Sequence, residues 1–222
     1  MVQRPITGIN FGGIGPSLLE PALTSANIVK QTILNPPFVW QWNRLSFQFN
    51  TVIGQSDYSV FIPNYGYVES YTTFDATAVA PNPATFQGKI NLSVQAGSDP
   101  GRPDELCPLQ DDNAGNITFR LSAVPDKVYV ITILYQAAPS LITSLNQTWA
   151  PIPDKFQFLY SRGFKGMLHG IYDSSLYQME LSLFLRQLIG VSEGLTETQK
   201  AIFLEDSLLK MKTTAAMQGK NA

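Results

Sequence analysis

A chain of 222 residues with 44% hydrophobic and 11% aromatic content can bury roughly 70% of the surface its unfolded form exposes, so it needs no disulfide or structural metal to fold. Its 15 basic residues against 17 acidic ones give a net charge of −2, with neither sign gathered into a run, which argues against a phosphate-binding stripe and sequence-independent nucleic-acid binding. A single cysteine, Cys107, and a single histidine, His169, exclude an intrachain disulfide, a cysteine-rich metal site, a histidine dyad and a three-histidine metal centre.

Residues 1–20 are rich in Gly and Pro without a clear period and read as an irregular arm. They lack the unbroken apolar stretch of a signal peptide, and no apolar run in the chain approaches the ~18 residues of a membrane span, so a soluble, unexported protein is expected. "NFGGIG", Asn10 to Gly15, follows no strand and runs into Pro16, which makes it part of the arm and not a phosphate cradle. A short helix follows in "LTSANIVKQTILNPP", with Thr24 or Ser25 as N-cap and Ala26, Val29 and Ile33 on one side. Pro36 and Pro37 end it.

The period then changes from helical to alternating. Trp40 and Trp42 share a face of an extended segment, and Leu45, Phe47, Phe49, Thr51 and Ile53 continue a two-residue repeat. "GQSD" turns the chain into a strand with Tyr58, Val60 and Ile62, and Tyr67 to Phe74 supplies another. After "FQGKINLSV", the stretch "QAGSDPGRPDELCPLQDDNAGN" reads as a long polar loop. "ITFRLSAV" alternates again, and "VYVITILYQ" is apolar at nearly every position, the mark of a central strand covered on both faces.

Three helices close the sequence. One runs from Asp154 through "KFQFLYSRGFKGMLHGIY", where Gly163, Gly166 and Gly170 either weaken it or admit a neighbouring backbone. The next starts at Asp173 or Ser174 and sets Leu176, Met179, Leu183, Phe184 and Leu188 at helical spacing. The last opens on a capping box, Thr196 with Gln199, with Ala201, Leu204, Leu208 and Met211 as its inner stripe. The expected class is α+β, an antiparallel β-sandwich with a short N-terminal helix and a C-terminal helical module. Its parts are residues 1–35 (arm and helix), 36–150 (sandwich) and 151–222 (helices).

No constellation specifies a chemistry. Cys107 falls in the polar loop without the electropositive neighbours of a reactive thiol. "DDNAG" from Asp111 offers oxygen ligands but lacks the downstream acid of a helix-loop-helix calcium site, so a hairpin loop is the simpler account. No cofactor and no catalytic or metal-ligating residue is assigned, and an enzyme is not expected. The candidate partner contacts are Trp40, Trp42, Trp149, Leu204, Leu208 and Met211. Trp40 and Trp42 sit at a junction where core or subunit-contact packing is expected, clasping helix to sheet, with one of the two reaching a partner.

The order of parts, an aromatic "WQWNR" after a short helix, "GQSDYSVFIPN", "VPDKVYVITILYQ", an "IPDKF" helix start and a helical tail, resembles the head-to-tail adaptor (connector) proteins of tailed bacteriophages, the tail tubular proteins among them, over roughly residues 24 to 210. The resemblance implies a structural ring of identical subunits, commonly twelve, at the head-tail junction of a virion. Such a ring binds the portal protein and the next tail or nozzle protein, and DNA passes through its lumen without specific binding and without a membrane. The family carries no catalytic residues to transfer. The alternative from another class is a carbohydrate- or cell-surface-binding β-sandwich using Trp40, Trp42 or Trp149 as the stacking residue.

Overall fold

The computed structural model describes residues 19–76, 85–94, 99–144, 146–172 and 174–205. It has the mixed α+β content expected, in two compact units: a helical unit, Met1–Asn43 with Pro139–Ala222, and a β unit, Arg44–Ala138. The sandwich is therefore narrower than the 36–150 span expected from the sequence. Both flanks of that span, and all three tryptophans, belong to the helical unit.

Helix α1 spans Leu19–Leu34, several residues longer than the sequence signals suggest. Thr24 and Ser25 are interior, because Pro21 is tolerated in the first turn, where its missing N–H would find no partner anyway. Ala22, Ala26, Val29 and Ile33 are fully buried along one stripe, and each of the two larger side chains adds about 1.5–3 kcal/mol by leaving water. Helix α2 spans Gln157–Tyr172 after a 3-10 turn at Asp154–Phe156, and α3 spans Ser174–Val191. The glycines of α2 make the packing possible. A Cβ on Gly163 would lie 2.8 Å from Val29 Cγ1 and 2.9 Å from Phe184 Cε2, and one on Gly166 would lie 3.3 Å from the backbone nitrogen of Leu181.

Helix α3 buries Phe184, Leu188 and Ile189, while Leu176 and Met179 at its start are 40% and 51% exposed. The expected stripe therefore holds only for the second half of the helix. The last described helical stretch, residues 197–205, opens on the capping box: the Thr196 N–H donates to Gln199 Oε1 at 2.9 Å, and the Gln199 N–H to Thr196 Oγ1 at 3.3 Å. Ala201, expected inside, is exposed.

Among its described residues the β unit holds ten strands: β1 Arg44–Asn50, β2 Asp57–Phe61, β3 Tyr65–Asp75, β4 Thr85–Gln87, β5 Lys89–Ile90, β6 Pro100–Gly101, β7 Glu105–Asp111, β8 Asn116–Leu121, β9 Val124–Pro125 and β10 Tyr129–Ala137. One four-stranded sheet has the order β1-β10-β3-β4 and the other β2-β8-β7-β5, with β6 and β9 as a separate pair. Pairing is antiparallel except for the two-residue contacts β5–β7 and β6–β9. Ile131, Ile133 and Tyr71 from the first sheet meet Phe119, Ile117 and Leu106 from the second in one core. The apolar run of β10 does mark a central strand, but not one covered on both faces, since Val130, Thr132 and Leu134 on its outer side are half-exposed.

Two elements depart from the sequence reading. Trp40 and Trp42 do not start a strand; a 3-10 turn occupies Gln41–Asn43 and β1 begins at Arg44. Strand β7 lies where a long loop is expected. Pro108 and a register shift between Pro108 and Gln110 disguise it, since proline inside a strand is confined to edges and bulges. The chain passes from one sheet to the other at Gly88, between β4 and β5. There a Cβ would stand 1.9 Å from Tyr71 Cζ, so only glycine fits over that buried ring.

Candidate functional site

The tryptophans are structural first. Trp40 is fully buried, donates its Nε1 proton to the Ile33 carbonyl at 2.7 Å, and stacks on Trp42 with ring centroids 5.4 Å apart. It thereby closes a free carbonyl at the C-terminal end of α1, where the helix itself offers no partner. Phe156 packs edge-on against it at 5.4 Å. Trp149 is 1% exposed and lies flat on Tyr160 at 4.8 Å. Neither indole presents a face to a partner or a sugar, and their partners are helices and loops of the helical unit. The expected clasp of helix to sheet is thus a clasp of α1 to the segments around Trp42 and Phe156. Trp42 is partly buried, and its Nε1 has no hydrogen-bond partner. Leu204 is half-buried, while Leu208 and Met211 lie outside the described residues.

The residues weighed for chemistry have other duties. Cys107 is in β7, buried, with Arg120 opposite it across the ladder, not in a loop without positive neighbours as expected. His169 is half-buried on α2. The "DDNAG" segment is a hairpin loop between β7 and β8 that consumes its own carboxylates. Asp111 Oδ1 accepts from the Asn113 N–H, and Asp112 Oδ1 from the Ala114 and Asn116 N–H groups. Those bonds hold the Asp112 carboxyl below its usual range, the Asn116 side chain contributing most. Asn113 and Gly115 take positive φ, at 57° and 102°.

What stands out is the face of the β1-β10-β3-β4 sheet turned away from the core. The register lines up Gln48, Thr132, Thr72 and Gln87 as one row across all four strands, and Gln48 Nε2 donates to Thr132 Oγ1 at 2.9 Å. Asn50, Val130, Phe74 and Thr85 form the row on one side, and Ser46, Leu134 and Ser70 the row on the other. Among the described residues these three rows carry no charge. All their side chains are exposed or half-exposed. Charge enters only at one end, where Arg44 pairs with Glu69, which also accepts from Gln136 Nε2 at 3.0 Å. The opposite sheet differs, with the Asp57–Arg120 pair at 2.8 Å on its outer face. Sequence alternation predicts which side chains share a face. The cross-strand register, which makes a neutral surface of them, requires the structure.

No helix of the described residues is long and apolar enough to cross a membrane. No protein-family model matches the chain, and no curated protein matches it. Among solved structures a similar chain belongs to the "Neck of empty GTA particle computed with C6 symmetry", with 11% identity and a TM-score of 0.27 over 92% of this chain and 89% of that one. A TM-score of that size does not establish a shared fold.

Proposed function

We propose that the chain is a structural, non-enzymatic subunit of a homo-oligomeric ring at the head-to-tail junction of a phage-like virion, docked on a portal and on the next tail protein. The motif order of the sequence supports this reading, and the observation that carries it is the charge-free outer face of the first sheet. Depletion of charge together with hydroxyl, amide and scattered apolar groups is what a lasting, partly wet protein contact requires, since nothing charged has to be desolvated. Each lateral contact of a ring is heterologous and has to bury about 1,000 Å² or more.

Purified full-length protein is expected to sediment as a closed oligomer and to appear as rings in negative-stain micrographs. Thr72→Lys with Thr132→Lys, which sets two charges in the middle row, is expected to leave the fold intact and abolish the ring. A wild-type protein that stays monomeric at about 50 µM, a concentration above the micromolar affinities that interfaces of this size commonly reach, overturns the reading.

A further inference from the structure

We propose that β1 is a docking edge that takes up residues 7–12 of a neighbouring copy's N-terminal arm as an added strand. This contact rests on the ring reading and is its link from one subunit to the next. β1 is the terminal strand of its sheet. The Thr51 N–H donates to the Tyr129 carbonyl at 2.8 Å, and in an antiparallel ladder bonded and non-bonded pairs alternate. Leu45, Phe47 and Phe49 therefore bond to β10, while the N–H and C=O groups of Ser46, Gln48 and Asn50 point away from it. Among the described residues no strand pairs with them on that side, which leaves an open row of backbone donors and acceptors.

The sheets end differently elsewhere. β4 has three residues and β5 two, and the chain crosses from one sheet to the other between them, at Gly88. β2, the end of the second sheet, has five residues, starts at the Asp57–Arg120 pair and is followed by Pro63. β1 has seven residues in unbroken register, with no proline and no charge after Arg44. Short strands, charges, prolines and bulges are what keep an edge from pairing, and residues 45–50 have none of these. An added strand there sends its side chains two ways. One set covers Phe47 and Phe49, half-buried at the rim of the core, where the Phe49 ring lies 5.2 Å from that of Tyr58. The other set extends the uncharged face beyond Ser46, Gln48 and Asn50.

That pattern selects the occupant: a segment without charge, apolar at alternate positions and small or neutral between them. In residues 1–18, which lie outside the described residues, Thr7, Ile9 and Phe11 alternate with Gly8, Asn10 and Gly12, inside a run from Pro5 to Leu19 that carries no charge. The other long segments outside do not fit. Residues 206–222 include Asp206, Lys210, Lys212 and Lys220, and 77–84 are broken by Pro81 and Pro83. Gly8 and Gly12 lower the arm's own strand propensity, so a finished sheet edge has to template it. The arm is also long enough. At roughly 1,800 Da it exposes about 2,600 Å² as an extended chain, and burying about a third of that reaches the ~800 Å² per partner of a stable contact. Arm and edge are different surfaces of one subunit, so an arm given to the next copy makes a heterologous contact, the kind a ring repeats. An arm laid on its own β1 would consume both surfaces within one subunit.

The test mixes two full-length variants. Ile9→Asp with Phe11→Asp disables the arm and leaves the edge. Gln48→Pro disables the edge and leaves the arm; the N–H it removes points away from β10, so that ladder keeps its bonds. Each alone is expected to sediment as a monomer where the wild type forms rings, and the mixture as a 1:1 dimer that grows no further. Hydrogen exchange resolved to single amides by mass spectrometry is a second readout that needs no change in β1. The Ser46, Gln48 and Asn50 amides are expected to be protected in the wild-type ring and to exchange roughly tenfold faster or more in the arm variant, with Phe47 and Phe49 slow in both. Rings formed by either variant, or unchanged exchange at the three amides, overturn the proposal and leave the ring reading standing. A mixture that stays monomeric does the same, because it assigns the arm to its own subunit. A wild type that forms no rings overturns the ring reading and this contact with it, so the two failures are told apart.

Discussion

The two units of this chain are held together by different means. In the β unit polar groups are largely paired: two ion pairs between strands, Arg44–Glu69 and Asp57–Arg120, a third from strand to turn, Asp75–Lys127, and a buried tyrosine, Tyr58, whose hydroxyl braces a turn. The helical unit relies on shape. Its core is indoles and phenyl rings against glycine-bearing helix faces, and it leaves Trp42 Nε1, Trp149 Nε1, Asp154 Oδ1, Gln187 Oε1 and Ser192 Oγ buried without a hydrogen-bond partner, where the described residues of the β unit leave the Tyr71 hydroxyl. Directional bonds order one half and steric fit orders the other. The halves are therefore expected to fail under different perturbations.

The largest expected effect comes from removing shape where shape is all there is. Trp149→Ala empties the space against Tyr160 and Phe164 and is expected to cost about 3–5 kcal/mol, read as a lowered denaturant midpoint and faster amide exchange in α2. Equal loss of protection in β10 would erase the distinction between the units. In the β unit the nearest equivalent is Gly88→Ala. Its Cβ would overlap the ring of Tyr71, which is fully buried, and overpacking of this kind costs about 1–3 kcal/mol. Loss of β4 and β5 amide protection in that variant, with α2 unaffected, is the outcome that supports the contrast.

What the sequence made legible follows the same divide. Period-2 alternation revealed most strands, and the unbroken apolar run of β10 revealed its central place, because both depend only on which residues can face a core. Thr196 and Gln199 announced their helix start because a capping box is local chemistry. Trp40 and Trp149 were misjudged, since aromatic content says that a residue packs but not on what. β7 stayed hidden because Pro108 mimics a loop signal, and the exposed start of α3 because helical spacing alone does not say where a helix outgrows its neighbours. The neutral sheet face could not be read at all: Gln48 and Thr132 are 84 residues apart, and only register brings them together.

Titration offers a finer contrast. Burial pushes Tyr65, Tyr67 and Tyr129 of the β unit up to about 12, helped by Asp111, Glu69 and Asp126 respectively. An unfolded tyrosine releases its proton near 10, so between about pH 10 and 12 the unfolded chain sheds protons that the fold retains. The stability these groups contribute is complete below pH 10 and is lost as pH rises to 12. The helical unit has the opposite case in Lys30, which is 2% exposed and donates to Ser140 Oγ at 3.1 Å; burial lowers its pKa. Its contribution is present above the ordinary lysine value and is lost as pH falls through the lowered one. Lys30→Met is expected to raise stability at neutral pH by about 1 kcal/mol by relieving a buried ammonium. The variant is also expected to keep the alkaline loss of the β unit. A variant less stable than wild type at pH 7 would mean that the Ser140 bond outweighs burial.

The smallest effect belongs to an exposed place where the helical unit, too, uses directional bonds. In the capping box the Thr196 hydroxyl and the Gln199 amide each close a backbone N–H of the first turn. Thr196→Ala removes one acceptor outright, at about 0.5 kcal/mol, the low end for lost caps, because the site is exposed and water replaces the hydroxyl. So small a cost is invisible in global unfolding, but it raises amide exchange locally at Gln199, whose N–H loses its acceptor. Thr196→Ser, which keeps the oxygen, is expected to restore protection at that amide. If serine fails where threonine succeeds, the methyl packing of Thr196 and not its hydrogen bond holds this turn, and the helical unit is ordered by shape even at its caps.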